Sequence, residues 1–251
     1  MLSSGPSTKT ISGTTPSIHW LLQTAESVPT ADDWLSQDET RFLQTLKIEK
    51  RRNDWLLGRW TAKSLIAHVL AAQVNNRLGF PSISIHKSPD GSPVVDLSSA
   101  GEKLPLLTLS ISHSHQVGAA ALVAAANWPL GIDLEYLEPR HPHFVADYFT
   151  MDEQQQLADL PEADQVTAVN AIWSGKEAAL KAIRRGLVQD TRVVSCRLGF
   201  GAADPDSWSH FEINWDERHL TDRPPTLQGW WQSINGFVLT IATATDNPVR
   251  E

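Results

Sequence analysis

Hydrophobic residues recur at helical spacing in two long stretches of the chain. From about 53 to 73, and again from about 163 to 185, apolar side chains return every three or four positions. Gly186 follows the second stretch, and a glycine commonly ends a helix. The pattern therefore predicts two long helices, one in each half of the chain.

Each long helix is preceded by the spacing of a helix-capping box. Ser36 is followed three positions later by Glu39, and Thr150 is followed by Glu153. In a capping box the hydroxyl accepts a hydrogen bond from the backbone of the third helical residue, whose carboxylate accepts one in return. The two boxes predict helices that begin just after Ser36 and near Met151.

Segments of strand-like character follow each pair of helices. Gly, Pro, Asp and Asn residues separate them, which is typical of short strands joined by turns. Short connections favour antiparallel pairing. The predicted strands are 82–85, 106–113, 119–125 and 130–135 in the first group, and 192–200, 209–215, 227–234 and 237–244 in the second.

Helices followed by strands, twice over, predict an α+β protein with two similar subdomains. Each would consist of a small antiparallel sheet packed with a long helix, in a pseudo-twofold arrangement. We place the N-terminal subdomain at 18–128 and the C-terminal subdomain at 129–251. Residues 1–17, rich in Ser, Thr and Gly, lack the apolar segment of a signal peptide and are predicted to be a flexible tail.

The composition narrows the classes of partner. The 251 residues include 21 Lys+Arg and 29 Asp+Glu, and the net charge of −8 disfavours nucleic acid or a membrane surface as the main partner. No run reaches the roughly 20 apolar residues of a membrane helix. Cys196 is the only cysteine, so an internal disulfide is excluded and a reducing, cytoplasmic location is indicated.

Two acidic residues share one face of a predicted strand. Asp133 and Glu135 are two positions apart in the sequence G-I-D-L-E, so their side chains leave the strand on the same side. Neighbouring carboxylates repel each other, and a hard cation such as Mg²⁺ or Mn²⁺ relieves the repulsion. The alternative is that the pair lines the solvent face of an edge strand.

A second charged cluster lies on the second long helix. Trp173, Glu177 and Lys181 follow one another at intervals of four, with Lys176 beside them, so that a carboxylate is flanked by two amines. The alternative is an ordinary Glu–Lys pair on a helix surface, which adds only about 0.2–0.5 kcal/mol.

Basic and histidine-containing segments lie in the first half of the chain. Ser112 and His113 end a predicted strand, His115 follows, and Arg52 and Arg59 lie near the start of the first long helix. The arginines, with Lys50, Arg51 and Lys63, form a basic patch that suits a phosphate site, whereas lone histidines are usually structural or surface residues. The alternatives are a solvated helix face for the arginines and a metal-binding pair for the histidines.

Taken in order, these clusters resemble the motifs of the phosphopantetheinyl transferases, specifically the larger single-chain (Sfp-type) group. Each motif alone is weak evidence, whereas the ordered set, covering about 50 to 190, is specific. The matching motifs are Gly58-Arg59, Ser112-His113, the G-x-D-x-E of 131–135 and the W-x-x-K-E-x-x-x-K of 173–181.

The resemblance implies transfer of the 4′-phosphopantetheine arm of coenzyme A to a serine hydroxyl of an apo acyl, peptidyl or aryl carrier protein. Adenosine 3′,5′-bisphosphate would be released. Mg²⁺, or Mn²⁺ in its place, would be the cofactor, and coenzyme A the co-substrate. The larger enzymes resemble two fused copies of a short subunit, which implies a monomer that binds coenzyme A in the cleft between its halves.

The resemblance also implies which residues act on the pyrophosphate. Asp133, Glu135 and Glu177 would hold the metal, and Lys181, with Lys176, would stabilise the departing phosphate. Glu177 is our first choice for the base that takes the serine proton, directly or through a metal-bound water. We expect its basic neighbours to keep it ionised.

Residues of the first half would bind the adenosine 3′-phosphate. They are Ser112, His113, Arg52, Arg59 and Lys87.

Glu153 fits two interpretations. It matches the F-[ST]-x-x-E stretch of the same family, but the capping box explains its spacing without catalysis, and we favour the structural role.

Two rival functions stay open at this point. One is a non-catalytic module that binds a carrier protein or nucleotide. The other, which we favour less, is a metal-dependent phosphohydrolase that uses His113, His115 and Asp133.

Overall fold

Contacts in the computed structural model divide the chain into two compact units, unit 1 (Met1–Asn127) and unit 2 (Trp128–Glu251). Within the part that it describes, no helix is both long and apolar enough to span a membrane. The structure describes residues 9–11, 14, 16–71, 78–100, 104–186, 189–199, 208–220 and 222–245.

Unit 1 is an antiparallel sheet packed with one long helix. Its elements are β1 (Lys9–Ile11), β2 (Ile18–Thr24), α1 (Gln37–Leu43), α2 (Glu49–Leu70), β3 (Ser84–Lys87), β4 (Pro93–Asp96), β5 (Thr108–Ser114) and β6 (Val117–Val123). The main sheet has the order β1-β2-β6-β5, and β3 and β4 form a separate hairpin. The core lies between α2 and the sheet, where Leu65 and Ile66 pack with Ala120 and Leu122.

The N-terminal segment corrects one prediction. A flexible tail over 1–17 is wrong for Lys9–Ile11, which pair with Ile18–Trp20 as an added edge strand. The pairing is favourable because Ile11 becomes 4% exposed, so its side chain joins the core.

Unit 2 repeats the combination of an antiparallel sheet and a long helix. Its elements are β7 (Leu130–Tyr136), α3 (Phe144–Tyr148), α4 (Met151–Ala158), α5 (Glu162–Ala182), β8 (Val194–Leu198), β9 (Ser209–Trp215), β10 (Leu227–Ile234) and β11 (Phe237–Ala244). The sheet has the order β7-β11-β10-β9-β8. The α+β class, with a small antiparallel sheet and a long helix in each unit, is confirmed.

A glycine brings α5 unusually close to the sheet. A Cβ atom at Gly131, on β7, would lie 1.8 Å from the carbonyl oxygen of Ala178 on α5. Only a residue without a side chain permits this approach, because no contact between non-bonded heavy atoms is that short. Gly131 thereby sets how near the polar residues of β7 lie to those of α5.

Each unit contains a buried ion pair of the same kind. In unit 1 the capping-box Glu39 contacts Lys63 of α2, and in unit 2 Glu153 contacts Lys176 of α5 at 2.6 Å. Both capping boxes are complete, as the sequence predicts. The second oxygen of each carboxylate accepts a backbone N–H, from Ile85 at 3.2 Å in unit 1 and from Cys196 at 2.7 Å in unit 2.

The match extends to the sequence around the two lysines. Lys63 ends the tetrapeptide W-T-A-K, and Lys176 ends W-S-G-K. The units therefore repeat each other residue by residue at these positions, although the sequence alone does not make the repeat evident.

Candidate active site

Asp133 and Glu135 lie on the face of β7 that contacts α5. Asp133 pairs in register with Thr240 on β11, and the Thr240 hydroxyl lies 2.8 Å from that of Ser174 on α5. Glu135 is two residues further along β7 and so shares this face. The two carboxylates therefore face a helix, which excludes the solvent-facing alternative.

Lys181 on α5 binds directly to Asp133. Its Nζ donates to Asp133 Oδ1 at 2.6 Å and to the Ile132 carbonyl at 3.1 Å, and it lies 3.8 Å from Glu177 Oε2. The Lys181 side chain is 28% exposed, whereas that of Asp133 is 3% exposed. Lys181 thus joins a buried carboxylate while its own side chain stays in contact with solvent.

Glu135 is held by two donors, one on each oxygen. Trp173 Nε1 donates to Oε1 at 2.9 Å, and Arg140 donates to Oε2 at 2.7 Å. Burial, followed by the neighbouring Asp133, raises the pKa of Glu135 despite these bonds. The motifs in the sequence did not point to Arg140. The available signal was its position, five residues after Glu135 and directly after Pro139.

Glu177 corrects one expectation. Burial, followed by the neighbouring Asp133 carboxylate, raises the pKa of Glu177 from 4.5 to about 8, and the attraction of Lys181 only partly opposes this. The expectation that basic neighbours keep Glu177 ionised is therefore wrong for the metal-free protein. The Lys181 pKa is also raised, because Asp133 and Glu177 outweigh the opposing effect of its burial.

Asp133, Glu135 and Glu177 form what we call the carboxylate cluster. Within the residues that the structure describes, no three metal-binding side chains are already arranged as a coordination shell. The donor chemistry nevertheless fits a divalent cation, because burial and the neighbouring Asp133 carboxylate raise the pKa of both Glu135 and Glu177, and a bound cation relieves this. Oxygen-only donors suit Mg²⁺ or Mn²⁺.

Lys176 does not belong with these residues. It is fully buried, and its Nζ donates to Glu153 Oε2 and to the Val194 carbonyl, both at 2.6 Å. The predicted contact of Lys176 with coenzyme A is therefore wrong, because the amine points into the core between α5, α4 and β8. Glu153 is equally buried, which supports the structural interpretation of its capping box.

Three of the predicted phosphate-binding residues line one cavity of unit 1, which we call the basic cavity. It has a volume of about 760 Å³, and Arg59, Lys87 and His113 line it. Phe42 and Trp55 add an aromatic pair, with ring centroids 5.4 Å apart. Arg51 of the predicted basic patch and His86, which the sequence did not single out, also line it, as do the carboxylates Asp38, Glu39 and Asp54.

The other two predicted phosphate ligands do not line this cavity. Arg52 lies beside Asp32 at 3.4 Å and lines a neighbouring cavity of about 1120 Å³, which His113 also borders. Ser112 is buried, whereas His113 is exposed, because successive side chains of β5 point to opposite faces.

Comparison with known proteins places the charged residues of unit 2 within a family. The model of the 4′-phosphopantetheinyl transferase superfamily matches residues 129–242, which contain the carboxylate cluster and Lys181. A holo-[acyl-carrier-protein] synthase of a Nitratiruptor species is 31% identical over 86 residues, covering 34% of this chain and 74% of that protein. This chain belongs to the 4′-phosphopantetheinyl transferase superfamily.

One further relative bears on the group within this superfamily. The 4′-phosphopantetheinyl transferase psf-1 of Bacillus pumilus is 28% identical over 158 residues, which are 63% of this chain and 59% of that relative. The chain thus spans less than two thirds of psf-1, and the match supports the larger single-chain group. A solved holo-(acyl-carrier-protein) synthase of Bacillus anthracis matches with TM-score 0.36 and 21% identity, over 42% of this chain and 92% of that one.

Proposed function

We propose that this protein transfers the 4′-phosphopantetheine group of coenzyme A to a serine of an apo carrier protein and releases adenosine 3′,5′-bisphosphate. The observation that carries the proposal is the carboxylate cluster joined to Lys181 within the segment that matches the family. Carboxylates that hold a metal, together with a lysine, can stabilise phosphoryl transfer, because charge develops on the phosphoryl oxygens and on the leaving oxygen.

In this reaction the serine oxygen attacks the phosphorus that carries the pantetheine arm. The bond from that phosphorus to the bridging oxygen breaks, and the electron pair leaves with the bisphosphate. Lys181, which is partly exposed and keeps its charge at neutral pH, would stabilise the developing charge on the leaving phosphate.

The serine proton needs an acceptor, and Glu177 is the carboxylate that we assign to this role. A general base must be ionised before it can accept the serine proton. Lys181, 3.8 Å from Glu177 Oε2, favours the ionised form.

Asp133, Glu135 and Glu177 would hold the Mg²⁺ ion. When bound, the ion supplies a positive charge that neutralises the pyrophosphate and favours ionised carboxylates.

For the adenosine 3′-phosphate we propose the basic cavity, with Arg59, Lys87 and His113 as ligands. The support is the gathering of these three basic side chains beside an aromatic pair, because hydrogen-bond donors suit a phosphate and aromatic rings suit a purine. Arg59 reaches the cavity over the Trp55 ring, 5.0 Å from its centroid.

The partner in our proposal is an acyl, peptidyl or aryl carrier protein. We further propose that one chain acts as a monomer, because it already carries two units that each combine an antiparallel sheet with a long helix. The cytoplasmic location stays a prediction.

Intact-mass spectrometry tests the proposal. The protein is incubated with coenzyme A, Mg²⁺ and an apo carrier of each of the three types. We expect at least one carrier to gain the mass of one phosphopantetheine group. Asp133→Asn should abolish the gain, whereas Asp222→Asn, which removes an exposed carboxylate of the same unit, should not. Binding of coenzyme A without any mass gain would instead indicate a non-catalytic module.

A further inference from the structure

Arg140 lies against the carboxylate cluster without belonging to the motifs that point to it. Its NH2 group donates to Glu135 Oε2 at 2.7 Å, and the two side chains are only 20% and 18% exposed. A salt bridge this sheltered is screened by water much less than a surface pair.

Neighbouring residues fix Arg140 in this position. Its Nε donates to Asn170 Oδ1 at 2.8 Å, and its guanidinium lies 5.4 Å from the centre of the Phe144 ring. Asn170 is fully buried on α5, and its amide nitrogen donates to the carbonyls of Glu138 and Val166. These donations determine which side of the amide carries the oxygen, so Asn170 presents an acceptor to Arg140.

Arg140 therefore places a second positive charge at the carboxylate cluster, on Glu135, in addition to Lys181. The two cations differ in their partners, because Lys181 binds Asp133 whereas Arg140 binds Glu135. A divalent ion bound to this cluster would be repelled by the positive charge of the Arg140 guanidinium.

We propose that Arg140 is a resident counter-cation that weakens divalent-metal binding at the carboxylate cluster and so sets its affinity. This inference deepens the proposed function and rests on it for the location of the metal site. Arg140 is not proposed as a catalytic residue, because its charge acts at the metal ligand Glu135 and not on the reacting atoms. Loss of its charge should tighten metal binding by roughly tenfold, because a fixed positive charge on a metal ligand opposes a divalent ion strongly where solvent screening is weak.

Two variants separate charge from hydrogen bonding. Arg140→Gln keeps a hydrogen-bond donor near Glu135 and removes the charge, whereas Arg140→Lys keeps the charge and loses the planar guanidinium. Arg218→Gln is the matched control, because it removes one charge from an exposed pair of the same unit.

The experiment is a Mn²⁺ titration of each purified protein, without coenzyme A or carrier, in which electron paramagnetic resonance measures free Mn²⁺. We expect Arg140→Gln to bind about tenfold more tightly than wild type, and Arg140→Lys and Arg218→Gln to match wild type. A variant that loses packing alone would bind more weakly.

Each other result overturns something specific. Equal or weaker binding by Arg140→Gln overturns the counter-cation role and leaves the transferase proposal intact. Tighter binding by both Arg140 variants would mean that the guanidinium geometry, and not the charge, matters. If neither wild type nor Arg140→Gln binds Mn²⁺, the metal site is overturned together with this inference.

Discussion

Replacing Glu177 with glutamine should stabilise the metal-free protein at pH 8 and do so much less at pH 5. The reason is the buried setting of this carboxyl beside Asp133, which raises its pKa from 4.5 to about 8. Glutamine has a similar shape and carries no charge at either pH, so the variant removes the titration and little else.

The sign follows from the protons bound in each state. Below about pH 4.5 Glu177 is protonated in both the folded and the unfolded chain. Between about 4.5 and 8 the folded protein keeps the proton that the unfolded chain has released, so the free energy of unfolding falls as pH rises. Each tenfold difference in proton affinity is worth about 1.4 kcal/mol. The loss by pH 8 is therefore on the order of a few kcal/mol.

The assay is urea unfolding in EDTA, followed by tryptophan fluorescence, at pH 5, 6, 7 and 8. Glu177→Gln should gain stability over wild type steadily across this series. Glu212→Gln, an exposed glutamate of β9, serves as the control and should show a small difference that does not vary with pH. A pH-independent difference for Glu177→Gln would refute the buried, high-pKa carboxyl.

Three further outcomes are expected. Gly131→Ala should disrupt unit 2 and abolish activity, because its Cβ would lie 1.8 Å from a backbone oxygen of α5; a stable, active variant by circular dichroism and assay would contradict this. Lys176→Met and Glu153→Gln should each lower the free energy of unfolding in urea by about 3–5 kcal/mol, because each leaves one buried charge unpaired. The double variant should lose less than the sum of the two, and additive losses would speak against the ion pair. Lys87→Ala and His113→Ala should raise the KM for coenzyme A more than they lower kcat, because they are proposed to bind a phosphate remote from the reacting atoms; steady-state kinetics showing only a kcat loss would argue against the basic cavity.

Local patterns in the sequence predict much of the fold. Both capping boxes form as expected, because the Ser or Thr hydroxyl and the Glu carboxylate satisfy backbone groups within one turn. The strands 209–215, 227–234 and 237–244 have the predicted bounds, since turn residues limit them on both sides. β2 and α3 were missed, because β2 lacks regular alternation and α3 has only five residues.

The sequence predicts which residues form the candidate site, but not how deeply they are buried or which distant residues they contact. The two-residue spacing of Asp133 and Glu135 gives their common face without a structure. The raised pKa of Glu177 comes from burial, which depends on how closely α5 approaches β7. The pairing of Lys176 with Glu153 and of Arg140 with Asn170 joins residues far apart in the chain, so spacing along a single helix cannot reveal it.

Comparison of the two units distinguishes residues that support the fold from residues of the candidate site. Both units keep the buried Glu–Lys pair, which marks it as part of the scaffold. The two units can be matched by counting from the first residue of β6 in unit 1 and of β11 in unit 2. On this count, Leu21 and Gln23 of β2 occupy the positions of Asp133 and Glu135 of β7. Unit 1 therefore lacks these two carboxylates, and only unit 2 has the set that our proposal requires.

The most direct test of the transferase proposal is the stoichiometry of its two products. Adenosine 3′,5′-bisphosphate and phosphopantetheinylated carrier are quantified from one reaction with coenzyme A and Mg²⁺, by liquid chromatography and intact mass. The proposal predicts equal amounts with the wild-type protein and neither product with Asp133→Asn. Bisphosphate released without carrier modification, or no modification of any carrier type, would contradict it.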